Sequence, residues 1–93
     1  MMLEAYVEIL AIAATVFGII MSLSYFPQTY KIIKRKSSSD ISLLSFLILL
    51  IGLLVWLMYG LSINNMPLII ANAIGIIANI SVITVYFKYR VKE

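Results

Sequence analysis

Long apolar runs alternate with short polar segments along this chain. The runs cover about residues 7–30, 41–61 and 67–87. Each is close to the ~20 residues that a helix needs to cross a bilayer. Three segments cannot close a β-barrel, so helices are the form in which they satisfy their backbone groups in lipid. We therefore predict an all-α transmembrane protein, with one membrane domain over residues 1–93 and three spans.

Composition supports a membrane protein and argues against an enzyme. Of 93 residues, 63% are hydrophobic and 12% are charged, against roughly 25% charged residues in an average soluble domain. The chain has no Cys and no His, so the thiolate ligand and the commonest general base are both missing. Its four acidic residues are scattered: Glu4, Glu8, Asp40 and Glu93. We expect no catalytic site, no cofactor and no metal.

The basic residues predict the orientation in the membrane. All seven flank apolar runs: Lys31, Lys34, Arg35 and Lys36 in one short loop, and Lys88, Arg90 and Lys92 at the C-terminus. The positive-inside rule then places the N-terminus outside and the C-terminus in the cytoplasm, with the protein in the cell (inner) membrane. This placement explains the net charge of +3 without a nucleic-acid partner.

Local signals mark the ends of the second and third helices. Ser39 or Asp40 is expected to cap the second helix. The pair Asn64-Asn65, followed by Pro67, is typical of a tight turn into the third helix. We expect these two helices to form an antiparallel hairpin.

Small residues recur at a spacing of four in the first and third spans: Ala14, Gly18 and Ser22, and Ala71, Gly75 and Asn79. This spacing favours close helix–helix packing. Ser22 and Asn79 are expected to form interhelical hydrogen bonds, and they are also candidates for the lining of a polar pocket.

Pro27 near the cytoplasmic end of the first span predicts a kink, because its ring presses on the carbonyl of Leu23. A static kink and a hinge for a gate remain equally open.

Trp56 and Asn72 are the candidate ligand-binding pair. In the predicted hairpin both lie about five residues from the turn, and therefore at one depth, with Tyr59 one turn further out. An interfacial Trp and an Asn that bonds between helices are the alternative readings. Together, an indole face and an amide that donates and accepts hydrogen bonds suit a sugar.

Two further features concern transport. No ionisable residue lies deep in a span, so a carrier of this kind is expected to work passively rather than by proton coupling. Three helices are too few to enclose a polar path, so we expect a two-fold dimer.

The chain resembles the bacterial SemiSWEET sugar transporters of the SWEET, PQ-loop or MtN3/saliva family. The first half carries Ser24-Tyr25-Phe26-Pro27-Gln28, then Lys34 to Lys36, then Ser39-Asp40-Ile41-Ser42. The second half carries Trp56-Leu57-Met58-Tyr59-Gly60, then Pro67, then Ala71-Asn72. The order and spacing of these segments carry the resemblance over nearly the whole chain.

The resemblance implies a bundle in which helix 3 packs between helices 1 and 2, and a parallel six-helix homodimer. It implies sugar transport by alternating access through a central pocket at the dimer axis, with Trp56 and Asn72 binding the substrate. Pro27 and Gln28 correspond to the family's Pro-Gln pair, with Pro27 as the hinge of the inner gate. Tyr59 would close the outer side.

The link after Tyr59 departs from the family pattern. Many bacterial relatives have an Arg and an Asp there, where this chain has Ile63 and Asn65. Outer closure would rest on hydrogen bonds of Tyr59 and Asn65, and we expect the outward-open state to be favoured.

The leading interpretation is a facilitative, uniport-type transporter of a mono- or disaccharide. A PQ-loop carrier of another small solute, such as an amino acid, is one alternative. The other is a small membrane subunit of a larger complex.

Overall fold

The computed structural model describes residues 2–90 as four helices: α1 (Met2–Leu23), α2 (Tyr25–Arg35), α3 (Leu43–Ser62) and α4 (Met66–Lys88). All three predicted spans are present, because α1 and α2 continue one another and three helical stretches are long and apolar enough to cross a membrane. The first extends from Met2 to Arg35, beyond both predicted limits. At about 1.5 Å per residue it exceeds the hydrocarbon core, so its ends project from it.

Where Pro27 predicts a kink, the helix is interrupted at Ser24, between α1 and α2. The backbone N–H of Ser24 is shared between the carbonyls of Ile20 and Met21, at 3.1 and 3.2 Å. Pro27 then lies in the first turn of α2, where a missing N–H leaves no hydrogen bond unmade. The interruption therefore accommodates the proline by starting a new helix.

The predicted basic loop is largely helical, which corrects the sequence interpretation. Lys31, Lys34 and Arg35 belong to α2, and only Lys36 lies beyond it, in the left-handed conformation that ends the helix. Ile32 explains the difference, because it is 1% exposed within this charged stretch. With Ile32 buried and the basic residues exposed, α2 is an amphipathic helix. Of the basic residues at the C-terminus, Lys92 lies outside the described residues.

The cap of α3 also differs from the prediction of Ser39 or Asp40. Ser42 is the N-cap, and its side chain accepts a hydrogen bond from the backbone N–H of Ser45 at 3.2 Å. Asp40 forms an ion pair with Arg35 at 2.8 Å instead. The Asp40 carboxylate is thus paired with the Arg35 guanidinium of α2 and does not cap α3.

The turn between α3 and α4 matches the prediction. Asn64 has a φ of 52°, a conformation that Asn tolerates better than most residues. The Asn65 side chain accepts a hydrogen bond from the N–H of Leu68 at 3.2 Å, and Pro67 lies in the first turn of α4. These contacts close the expected antiparallel hairpin.

Helix α4 lies in the middle of the bundle, as predicted for the third span. It packs against α1, α2 and α3, whereas within residues 2–90 the backbones of α1 and α3 do not approach each other. The small-residue stripes meet here. A Cβ on Gly18 would lie 3.1 Å from the Cβ of Ala71, and one on Gly75 would lie 3.1 Å from Ser22 Oγ.

The bundle has two distinct ends. We call the end with the α3–α4 turn, residues 63–65, the link end. We call the opposite end, with the segment between α2 and α3 (residues 36–42), the basic end. There Ser38 is 2% exposed, and its hydroxyl donates to the carbonyl of Tyr86 at 3.0 Å. Its backbone N–H donates to the carbonyl of Tyr89 at 3.3 Å. Ser38 thus fastens this segment to the last turn of α4.

Candidate functional site

A cleft of about 770 Å³ separates α1 from α3, and α4 forms its floor. It is open on one side rather than enclosed. Its lining comes from all four helices and the link: Ala11, Ala14, Gly18, Met21, Ser22, Ser24, Tyr25, Leu53, Trp56, Asn65, Pro67, Leu68, Ala71 and Asn72. None of these lining residues is ionisable except Tyr25, so the cleft can bind a neutral polar solute without burying a charge.

Trp56 and Asn72 lie at one level of this cleft, as the hairpin predicts. A Cβ on Gly60 would meet the Cβ of Leu68 at 2.9 Å, and one on Gly75 would meet Leu53 at 2.8 Å. Gly60 therefore lies opposite Leu68, and Leu53 lies opposite Gly75. Between these two points the antiparallel register places Trp56 opposite Asn72. Both side chains line the cleft, so an aromatic face and an amide are available to one ligand.

The Asn72 amide retains hydrogen-bonding capacity. Its Nδ2 donates one hydrogen bond to the carbonyl of Leu68, one turn earlier, at 2.7 Å. This bond fixes the amide orientation and leaves the second N–H and the Oδ1 lone pairs for a ligand. Trp56 is 54% exposed, which leaves its ring accessible.

Tyr59 and Asn65 lie at the link end without closing it. The Tyr59 ring packs edge to face on Trp56, with 5.8 Å between centroids, but Tyr59 does not line the cleft. Asn65 does line it, while its side-chain oxygen is engaged as the cap of α4. Within residues 2–90 the two side chains share no hydrogen bond, so their joint role in outer closure stays a prediction.

Ser22 and Asn79 have different environments. Ser22 lines the cleft, and its hydroxyl donates to the carbonyl of Ala71 at 2.7 Å, which confirms the expected interhelical bond. Asn79 is 0% exposed and is absent from the cleft lining. Neither polar atom of its amide has a partner among residues 2–90, so the bond expected of Asn79 is not formed.

Tyr25 and Phe46 form a contact that the sequence analysis did not identify. Their rings pack edge to face, with 6.0 Å between centroids, and join α2 to α3. Tyr25 is the last residue of the first span to line the cleft toward the basic end. The two residues are on different spans, and the family resemblance includes Tyr25 only as part of the Pro-Gln segment, without a partner. No spacing signal could have paired them.

Pro27 and Gln28 lie beyond this aromatic pair, on the basic side, and neither lines the cleft. The neighbouring Thr29 shares a hydrogen bond with Ser81 of α4, 2.7 Å between the hydroxyl oxygens. The break at Ser24 is therefore held to α4 on both sides, by Ser22 and by Thr29. No group of three or more acidic, His or Cys side chains within residues 2–90 is placed to hold a metal ion.

Comparison with known proteins places this arrangement in a family. Residues 8–93 match the sequence model of a family described as sugar efflux transporters for intercellular exchange. The sugar transporter SemiSWEET of Bradyrhizobium diazoefficiens is 37% identical over 68 residues, 73% of this chain and 79% of the relative. The SemiSWEET of Leptospira biflexa is 24% identical over 84% of this chain and 87% of its own length.

A longer relative and a solved structure support the same family. The rice bidirectional sugar transporter SWEET12 is 25% identical over 99% of this chain, which spans only 31% of that protein. The crystal structure of a bacterial homologue of SWEET transporters superimposes with a TM-score of 0.82 at 33% identity, over 87% of this chain and 98% of the other. The chain therefore belongs to the SemiSWEET and SWEET family, a family of sugar transporters and not of enzymes.

Proposed function

We propose that this protein carries a small sugar across the membrane by facilitated diffusion. The observation that carries the proposal is the pairing of Trp56 with Asn72 at one level of an open cleft of about 770 Å³. The ring face packs against the C–H face of a pyranose, and the free N–H and oxygen of Asn72 bond to its hydroxyls. The relatives named as sugar transporters support a sugar as the substrate.

A second copy of the chain would complete the site. The cleft is open on one side, and lipid against its floor would leave the second N–H and the Oδ1 of Asn72 without partners. A two-fold axis along the membrane normal covers both clefts and brings two Trp56 rings and two Asn72 amides around one pathway. The functional unit that we propose is this parallel homodimer of six helices.

The shape of the cleft supports alternating access. It reaches Asn65 and Pro67 at the link end, and the Tyr25–Phe46 pair crosses between α2 and α3 on the basic side. The positive-inside rule assigns the basic end to the cytoplasm and the N-terminus to the outside. The described conformation then corresponds to an outward-facing state. This agrees with the expectation that a link with Ile63 and Asn65, instead of an ionic latch, favours the outward-open form.

Opening toward the cytoplasm requires α2 to move away from α3. The break at Ser24, with Pro27 in the following turn, allows α2 to swing while α1 stays packed on α4. The Tyr25–Phe46 contact would separate, and Tyr59 and Asn65 would close the link end. Gln28 moves with α2 as part of this inner gate.

The absence of an acidic or basic side chain from the cleft lining supports a uniport mechanism. A proton-coupled carrier needs a group whose charge changes during the cycle. With none lining the pathway, the sugar gradient alone would drive transport.

The single tryptophan allows a direct test of the binding site. Because Trp56 is the only Trp in the chain, its emission reports the cleft alone. We expect glucose or sucrose to change this emission saturably in the purified dimer. Asn72→Ala should weaken the apparent affinity about tenfold, the equivalent of about 1.4 kcal/mol for lost hydrogen bonds.

The control variant is Thr84→Ala, which removes an exposed hydroxyl of α4 outside the cleft and should bind like the wild type. Trp56 emission that does not change when sugar is added would contradict a sugar site here. So would an apparent sugar affinity of Asn72→Ala equal to that of the wild type. Saturation by an amino acid instead would favour the alternative solute. A purified chain that shows no dimer on cross-linking would favour a subunit of a larger complex.

A further inference from the structure

Asn79 is a polar side chain in the wrong environment for the described conformation. It is 0% exposed, and both polar atoms of its amide lack a partner within residues 2–90. An amide buried without hydrogen bonds is destabilising, more so in a membrane, where water cannot supply them. The described conformation therefore leaves the hydrogen-bonding capacity of Asn79 unmet within residues 2–90.

Asn79 lies on the same face of α4 as the cleft floor. Seven residues are almost two turns, so Asn79 falls nearly in line with Asn72 along the helix axis. Gly75, between them, is where α1 and α3 both approach α4: Ser22 Oγ and Leu53 lie 3.1 and 2.8 Å from the position of a Cβ there. Asn79 thus continues the cleft floor toward the basic end.

The helix registers place Asn79 beneath the aromatic contact. Ser22 beside Gly75 and Thr29 beside Ser81 define a parallel register, which sets Tyr25 near the level of Ala78. Leu53 beside Gly75 defines an antiparallel register that sets Phe46 near Val82. The Tyr25–Phe46 pair, 6.0 Å between centroids, therefore crosses the bundle at the level of Asn79.

We propose that Asn79 is a second hydroxyl-binding station for the transported solute, accessible only when Tyr25 and Phe46 separate. It lies about 10 Å beyond Asn72 toward the basic end. Its amide donates and accepts, which suits the hydroxyls of a polyhydroxylated solute. The solute passes from Asn72 to Asn79 as the inner side opens. This inference rests on the proposed sugar transport.

Cysteine accessibility tests whether Asn79 lines the pathway, since the chain has no native Cys. Asn79→Cys is compared with Ala78→Cys, at an equally buried neighbour that points about 100° away around α4. Both are treated with a charged, water-soluble thiol reagent in the dimer carrying Tyr25→Ala and Phe46→Ala. We expect Cys at 79 to react at least about tenfold faster, and saturating sugar to slow it. Equal rates, or an unreactive Cys at 79, would overturn the proposal.

Transport kinetics supply the second readout. Asn79→Leu should lower the rate of sugar counterflow about tenfold, as expected for one lost hydrogen bond to the moving solute, while sugar titration of Trp56 emission stays unchanged. A wild-type rate in Asn79→Leu would overturn the second station. Wild-type protein without any sugar counterflow would instead overturn the proposed function, whereas the thiol reactivity at position 79 would still report opening of the pathway.

Discussion

Two asparagines on the same face of α4 differ in how their hydrogen bonds are met. Asn72 donates a hydrogen bond to the carbonyl of Leu68 at 2.7 Å. Its side chain lines the cleft, where the second N–H and Oδ1 remain free to bind a ligand. Asn79 is fully buried with no partner within residues 2–90. The same amide group is thus pre-positioned for a ligand at one level and destabilising at the other. The proposed second site explains the difference, because in it the Tyr25–Phe46 contact covers Asn79 but not Asn72.

Replacing Asn79 should therefore stabilise the described conformation. In Asn79→Leu an apolar side chain of similar size replaces the unpaired amide, and we expect the free energy of unfolding to rise by about 1–3 kcal/mol. Thermal unfolding of the purified protein in detergent measures the change. Asn72→Leu, which removes a bonded amide from the open cleft, is the matched control and should give no such gain. A lower melting temperature for Asn79→Leu would mean that the amide has a partner in the resting state.

The break between α1 and α2 gives the first span two parts with separate attachments. Ser22 bonds to the backbone of α4 on one side of Ser24, and Thr29 bonds to Ser81 on the other. Beyond α2, the segment at the basic end is fastened to α4 through Ser38. A swing of α2 must break the Thr29–Ser81 bond, whereas the Ser22 bond need not change.

The Ser38 contact should contribute measurably to stability. Ser38→Ala removes the hydroxyl that satisfies the Tyr86 carbonyl in the last turn of α4, and we expect a loss of about 1 kcal/mol. Ser39→Ala serves as the control, because Ser39 is exposed and, within residues 2–90, its hydroxyl bonds only to Ser37. The two thermal midpoints are compared in the same detergent. Equal midpoints would show that this attachment carries no net stability.

Much of the architecture follows from the sequence, and the exceptions have physical causes. The three apolar runs, the Asn64–Asn65 turn and the small-residue stripes predict the spans, the hairpin and close helix packing, whereas the central position of α4 was implied by the family resemblance. The helical basic segment and the Ser42 cap were missed, because they depend on Ile32 packing against the bundle and on Asp40 pairing with Arg35. Local sequence does not contain these tertiary contacts.

The candidate site also contains residues that the sequence predicts and residues that it does not. Trp56 and Asn72 were predictable because a hairpin pairs positions equally distant from its turn. The Tyr25–Phe46 closure and the burial of Asn79 were not, because they depend on how two separate spans approach across α4. Contacts of this kind arise from the whole bundle and leave no periodic trace in either span.

The bundle as a whole is a slender unit with extents of 61 × 23 × 15 Å, and its open cleft has a mostly apolar lining with a few polar groups, among them the Asn72 amide. In the proposed dimer, a second copy covers the cleft and the single shared pathway opens to alternate sides of the membrane. The family relationship supports this use of the fold. The cleft chemistry, with a neutral amide beside an indole, supports a neutral polyhydroxylated solute.

Counterflow of labelled glucose and sucrose into liposomes carrying the purified protein tests this conclusion most directly. We expect saturable uptake of at least one of the two sugars by the wild type, its loss in Trp56→Ala, and in Asn72→Ala an uptake that needs a higher sugar concentration to saturate, with folding and dimerisation retained. Val55→Ala, at an exposed neighbour outside the cleft, should transport normally. Flat traces from a folded wild-type dimer, or undiminished uptake by Trp56→Ala, would contradict a sugar pathway through this cleft.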